Sequence, residues 1–189
     1  MADYDVRLAL KAEKAEAGVA SFAMRNRWEM RILGNRKADI FMNVWITSDR
    51  VEVHYIEDPL TGIPFVTFRG ENSARTAEML KASCNVWEFS EALEGARRAA
   101  DRDARLTAVY AAAFTAPEQP VDEMIELFHS LATDPDAGVR QSIVVSTGYV
   151  PWPQLVEIVR ELSRTDPVDH VRENARLLLE GLSIHGNEN

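Results

Sequence analysis

Only one cysteine, Cys84, occurs in the 189 residues. An internal disulfide is therefore excluded, cysteine alone cannot build a thiolate metal site, and the usage fits a reducing compartment. Long apolar runs are missing as well: nothing approaches the roughly 18 consecutive apolar residues of a membrane span. The N-terminus, with Asp3 and Asp5 early and no apolar core, does not read as a signal peptide. These absences point to the cytoplasm and away from the membrane. Catalytic signatures are equally scarce, with no P-loop, no GxGxxG after a strand, no GxSxG, no HExxH and no EF-hand loop. His54, His129, His170 and His185 are scattered without ligand spacing, so neither a metal nor a cofactor is expected. Basic residues are few in the tail: residues 117–189 hold 13 acidic and 5 basic side chains, against 17 and 16 in residues 1–116. A surface of that sign repels phosphate backbones, which argues against nucleic acid, and steers toward basic proteins.

What is present is an internal repeat. Thr133-Asp134-Pro135 followed by Val139-Arg140 recurs as Thr165-Asp166-Pro167 followed by Val171-Arg172, at a constant offset of 32 residues. Asp before Pro ahead of a helical run predicts an N-cap with proline at the first helical position, and Gly148 and Gly181 mark the helix ends. An amphipathic run precedes each copy: Val121, Met124, Ile125, Phe128 and Leu131 before the first, and Leu155, Val156, Ile158, Val159 and Leu162 before the second. The unit is a helix pair. A degenerate earlier copy lies at Asp103-Ala104-Arg105, without its proline.

The polar turn with Asp, then Val-Arg, then a small and apolar helix resembles the short HEAT-like repeat of phycobiliprotein-lyase-type proteins. Asp134 to Tyr149 and Asp166 to Leu182 carry the resemblance, which covers roughly the last ninety residues. It implies an α-solenoid and says little about chemistry, because such repeats occur in scaffolds, lyases and DNA-binding enzymes alike.

Ahead of the repeats the pattern is mixed. Val6, Leu10 and Ala17 lie at roughly helical spacing in an Ala, Lys and Glu-rich stretch, which predicts a helix over residues 3–24. Arg25, Arg27, Arg31, Arg36 and Lys37 surround Trp28, but Glu29 and Asp39 intervene, and Trp28, Met30 and Ile32 alternate as in a half-solvated edge strand. From Ala38 the period is two: Ile40, Met42, Val44 and Ile46 face one way and Phe41, Asn43, Trp45 and Thr47 the other, so this strand is expected to be central. Val51 to Ile56 and Pro64 to Phe68 complete an antiparallel meander of three or four strands. A covering helix follows Gly70, with Ala74, Ala77, Leu80 and Cys84 on one face. One further helix is expected from about Ser90 to Phe114, with Arg98, Arg102 and Arg105 on a solvated side, paired with Glu94 and Asp101 at i,i+4 spacing. The fold class is therefore α+β: an α+β module over residues 1–89, then helical repeats over 90–189.

Asp134, Arg140, Asp166 and Arg172 would make a catalytic set, but their recurrence is what a stacked solenoid requires of its caps and inter-repeat polar pairs. Cys84 on an apolar face reads as a small core residue. Tyr149 and Trp152, in the rigid link Gly148-Tyr149-Val150-Pro151-Trp152-Pro153, form either an interface anchor or a plug in the seam between helix pairs. Around them Asp122, Glu123, Glu126, Glu157 and Glu161 give the first helices of the two repeats acidic outer faces, and together these residues make a partner-binding patch. Two classes of function follow. The first is a non-enzymatic protein-binding module for a basic partner, for instance an inhibitor or toxin-neutralising immunity protein. The second is a small-molecule binder or lyase-like enzyme with a pocket between sheet and repeats, seated on Trp45, His54 and Tyr55. Leu177, Leu178 and Leu179 offer more apolar surface than one seam consumes, and a homodimer is one way to cover it.

Overall fold

A computed structural model describes residues 6–186, and side chains through 184. The chain divides into two compact units, Met1–Trp87 and Glu88–Asn189.

The first unit is a five-stranded antiparallel sheet with helices on one face. In chain order it comprises β1 (Val6–Ala9), α1 (Ala15–Arg25), β2 (Glu29–Ile32), β3 (Phe41–Ile46), β4 (Glu52–Glu57), β5 (Pro64–Arg69) and α2 (Ser73–Lys81). The strand order is β1-β5-β4-β3-β2, so the expected meander is present as β2 to β5, with β2 at one edge and β3 inside. The fifth strand corrects the sequence expectation. Residues 6–9 are not helical: they pair antiparallel with β5, Val6 opposite Phe68 and Leu8 opposite Val66. Val6-Arg7-Leu8-Ala9 also alternates, and the free edge of β5 selects that reading over local helix propensity. Residues 3–5 of the predicted helix lie outside the described part. The outer side of β1 is itself covered, since Leu10 bridges Val86 and the Trp87 N–H donates to the Ala9 carbonyl at 2.9 Å.

Period-two alternation puts Trp45, Val53, Tyr55, Val66 and Phe68 on one face. There they pack with Val19, Phe22 and Ala23 of α1 and Ala77 and Leu80 of α2. Trp28 sits edge-on to Phe22 at 5.3 Å between centroids. The buried stripe of α2 is Ser73, Thr76, Ala77 and Leu80; Ala74 is exposed, and Cys84 lies beyond the helix end, half-buried against the same core. β2 is exposed along its whole length, more so than the half-solvated strand expected, and carries a register shift between Met30 and Ile32. A short, bulged, charged edge resists pairing with other chains.

The second unit is three stacked helix pairs: α3 (Phe89–Arg98) with α4 (Arg102–Thr115), α5 (Asp122–Leu131) with α6 (Ala137–Tyr149), and α7 (Pro153–Thr165) with α8 (Asp169–Gly186). α4 packs on α6 and α6 on α8, while α3, α5 and α7 form a second row. The single helix expected over 90–114 is thus a hairpin. Ala99 leaves helical geometry and Asp101 caps α4, accepting from the Ala104 N–H at 2.9 Å. A Cβ on Gly95 would lie 3.2 Å from Ala108 Cβ, so glycine there lets the two helices approach closely.

The Asp-Pro pairs also act differently from expectation. The N-cap of α6 is Asp136, whose Oδ1 accepts from the Gly138 and Val139 N–H groups at 2.6 and 3.2 Å. Asp134 instead accepts from the Asp136 N–H at 2.8 Å, and Asp166 from the Val168 N–H at 2.9 Å. Each Asp-Pro therefore builds the turn before the helix. No helix among the described residues is long and apolar enough to cross a membrane.

Candidate functional site

The recurring arginines link one layer to the next. Arg140 donates from Nε and Nη2 to both oxygens of Asp166 at 2.7 and 3.0 Å, and from Nη1 to the Asp134 and Pro135 carbonyls at 2.7 and 3.2 Å. Its side chain is 7% exposed and that of Asp166 is 0%. Burial by itself would raise the Asp166 carboxyl, but the Arg140 guanidinium and the Val168 N–H outweigh it and hold the group below the ordinary aspartate range. Arg105 repeats the arrangement one layer earlier, reaching the Ala99 carbonyl at 2.8 Å and Asp134 Oδ2 at 3.0 Å. The degenerate copy therefore shares the geometry of the Arg140 copy. Arg102 reaches across the same seam to Asp136 at 2.9 Å. The carboxyl of Asp136, despite an opposing effect of burial, is lowered by the Gly138 and Val139 N–H groups and then by Arg102. Only Arg98 of the three arginines expected on a solvated face keeps the expected i,i+4 partner, Glu94. Arg172 donates to the Asp166 carbonyl and pairs with Asp169, so Asp134, Arg140, Asp166 and Arg172 are each bonded to a turn or to the neighbouring layer.

Trp152 is 5% exposed and serves as N-cap residue of α7, so it is buried rather than projecting as an anchor. Tyr149 is half-buried, its ring 4.6 Å from that of Phe114. The two aromatic members of the proposed patch are thus committed to packing. The acidic members are placed otherwise: Asp122, Glu123 and Glu126 on α5 and Glu157 and Glu161 on α7 are all exposed, on two helices that pack on each other. Glu157 pairs with Arg160.

In the first unit the strand register separates the alternative pocket residues. His54 lies opposite Val44 and Thr67, on the face away from Trp45 and Tyr55, and its Nε2 is 3.2 Å from Glu52 Oε2. Trp45 is buried in the core. Tyr55 lines a cleft of about 410 Å³, together with Asp39, Phe41, Glu57, Asp58 and Pro64. Beside it runs a polar chain that the sequence reading missed. Tyr55 donates to Glu57 at 3.1 Å, Arg36 bridges Glu57 at 2.6 Å and Glu16, and Asn43 joins Glu16 at 3.2 Å. The Arg36 guanidinium lies 3.8 Å over the Phe41 ring. Burial, followed by Glu57, pushes the Tyr55 phenol well above its ordinary value, which suits a fixed donor and not a proton shuttle. The Cys84 thiol is likewise pushed up by burial, with Arg25 opposing. Among the described residues no group of three His, Cys, Asp or Glu side chains is arranged to hold a metal.

The chain matches no protein-family model, no curated protein and no solved structure. Its own geometry is the basis for any functional reading.

Proposed function

We propose that this chain is a non-enzymatic protein-binding module with a HEAT-like repeat half, acting through the acidic outer faces of α5 and α7 on a basic protein partner. The observation that carries the reading is the contrast between two sets of carboxylates. Asp134, Asp136 and Asp166 are held by arginines or turn N–H groups. Asp122, Glu123, Glu126 and Glu161 are exposed, with no cationic side chain at ion-pair distance among the described residues. α5 carries Asp122, Glu123 and Glu126 with no Lys or Arg, whereas α7 sets Arg160 and Arg164 beside Glu157 and Glu161, so the excess negative charge is on α5, where it raises the encounter rate with an oppositely charged surface. An inhibitor or immunity protein against a basic toxin is one such role, and a cytoplasmic setting suits the single thiol.

The experiment compares immobilised wild-type chain with a variant carrying Asp122→Asn, Glu123→Gln, Glu126→Gln, Glu157→Gln and Glu161→Gln. The wild type should retain basic proteins that elute as salt rises, and the variant should lose them. Recovery of the same proteins by both would remove the acidic faces from the function. A small-molecule binder seated at the cleft beside Tyr55 is the second reading, favoured by the cleft's volume and its two aromatic rings. Ligand-induced chemical-shift changes confined to Phe41 and Tyr55 would select it.

A further inference from the structure

Residues 33–40 join β2 to β3 and run beside the Tyr55 cleft, with Ala38 and Asp39 in its lining. No strand ladder holds this segment. Among the described residues its one main-chain to main-chain hydrogen bond is internal, from the Ala38 N–H to the Asn35 carbonyl at 3.0 Å. The Lys37 N–H is likewise taken up within the segment, by Asn35 Oδ1 at 2.9 Å. Residues 35–40 are all exposed. An exposed segment with so few backbone bonds to its surroundings belongs to the low-stability end of a fold.

Two side-chain contacts hold it down. The Gly34 N–H donates to Asn43 Oδ1 at 2.8 Å. The Arg36 guanidinium lies 3.8 Å over the Phe41 ring and bridges Glu57 on β4 and Glu16 on α1. Both contacts lead back to Glu16, because Asn43 Nδ2 donates to its other oxygen at 3.2 Å. Gly34 rests so closely on the Phe41 ring that an added Cβ would come within 2.6 Å of it. The segment thus covers Phe41, whose ring is also part of the cleft wall. The Arg36 side chain is itself 57% exposed, so salt screens its ion pairs and the contact is releasable.

We infer that residues 33–40 are a strap over the cleft, that Arg36 is its clasp, and that release of Arg36 opens the cleft beside Phe41 and Tyr55. Once the guanidinium leaves Glu57 and Glu16, the Gly34 bond to Asn43 is the one remaining tether, and the wall made by Ala38 and Asp39 moves away from the rings. Access to the cleft is then set by the charge pairs of one residue. The inference concerns that access alone. It stands or falls whether or not a small molecule binds there, and independently of the acidic face of α5.

The test exposes the full-length chain and its Arg36→Gln variant to a lysine-specific endoprotease, with cleavage after Lys37 followed by mass spectrometry. Cleavage that requires local opening tracks the open population, so the variant should be cut at Lys37 about fivefold faster or more. Hydroxyl-radical labelling of Phe41 and Tyr55 should rise about twofold or more in the same variant. Raising NaCl should narrow the difference, because salt screens the clasp of the wild type. Arg31→Gln, which removes an exposed pair with Glu29 outside the strap, should leave both readouts at the wild-type level. Should Arg36→Gln fail to fold by circular dichroism, Glu57→Gln is read in the same way, since it keeps an acceptor for Tyr55 and removes the charge. Equal cleavage and labelling in wild type and variant overturn the inference, as does an equal rise in Arg31→Gln. Faster cleavage with Phe41 and Tyr55 still unlabelled overturns it too, because the segment would then fray without opening the cleft.

Discussion

Arg140→Ala should be among the most damaging single substitutions in the helical unit. The guanidinium makes two bonds to Asp166 and two to backbone carbonyls, at 2.7 to 3.2 Å, with both side chains out of solvent. Truncation leaves the Asp166 carboxylate buried without its bonded counter-charge, with only the weaker influence of Arg172 remaining, and removing one partner of a buried ion pair costs about 3–5 kcal/mol. An exposed pair would cost under about 1 kcal/mol. The assay is urea unfolding followed by circular dichroism, together with exchange of the α7 and α8 amides so that loss within the helical unit is seen directly. A cycle with Asp166→Ala and the double variant should show coupling of about 2–3 kcal/mol.

The pH dependence supplies a second check. Because the Asp166 carboxyl is depressed in the folded protein, its contribution is fully present above the unfolded aspartate value of about 3.9 and is lost as pH falls through the lower folded value. The penalty of Arg140→Ala should therefore be large at neutral pH and shrink in acid. A cost below about 1 kcal/mol at neutral pH, or strictly additive single effects, would refute the claim that this pair locks the layers.

Other perturbations separate packing from surface roles. Trp152→Ala should cost about 3–5 kcal/mol by chemical denaturation, because the ring is buried; a neutral effect would restore it as an exposed anchor. Gly34→Ala should destabilise the first unit by about 1–3 kcal/mol, since the added Cβ would lie 2.6 Å from the Phe41 ring and 2.9 Å from the Met42 carbonyl oxygen, and thermal melting reads the loss. The Cys84 thiol, raised by burial, should react with a disulfide reagent at pH 8 more slowly in the folded chain than in denaturant, and equal rates would contradict its half-buried placement.

The local grammar of the chain determined a good deal. Alternation at residues 41–46 and 64–69 placed two interior strands, and the 32-residue recurrence placed α6 and α8, because side-chain periodicity and turn chemistry act over a few neighbouring residues. Tertiary structure decided where those rules were ambiguous or silent. Val6 to Ala9 suits both periods, and only the open edge of β5 made it a strand. Ala99 and Ala100 would continue a helix in isolation, yet the chain turns there so that α3 can pack on α4 and Asp101 can cap it. Trp152 could have faced solvent or the interior, and burial of its ring settled the choice. The pairing of Arg105 with Asp134, of Arg140 with Asp166 and of Arg36 with Glu57 joins residues more than 20 positions apart. Such contacts depend on how whole elements stack, which local sequence rules do not encode.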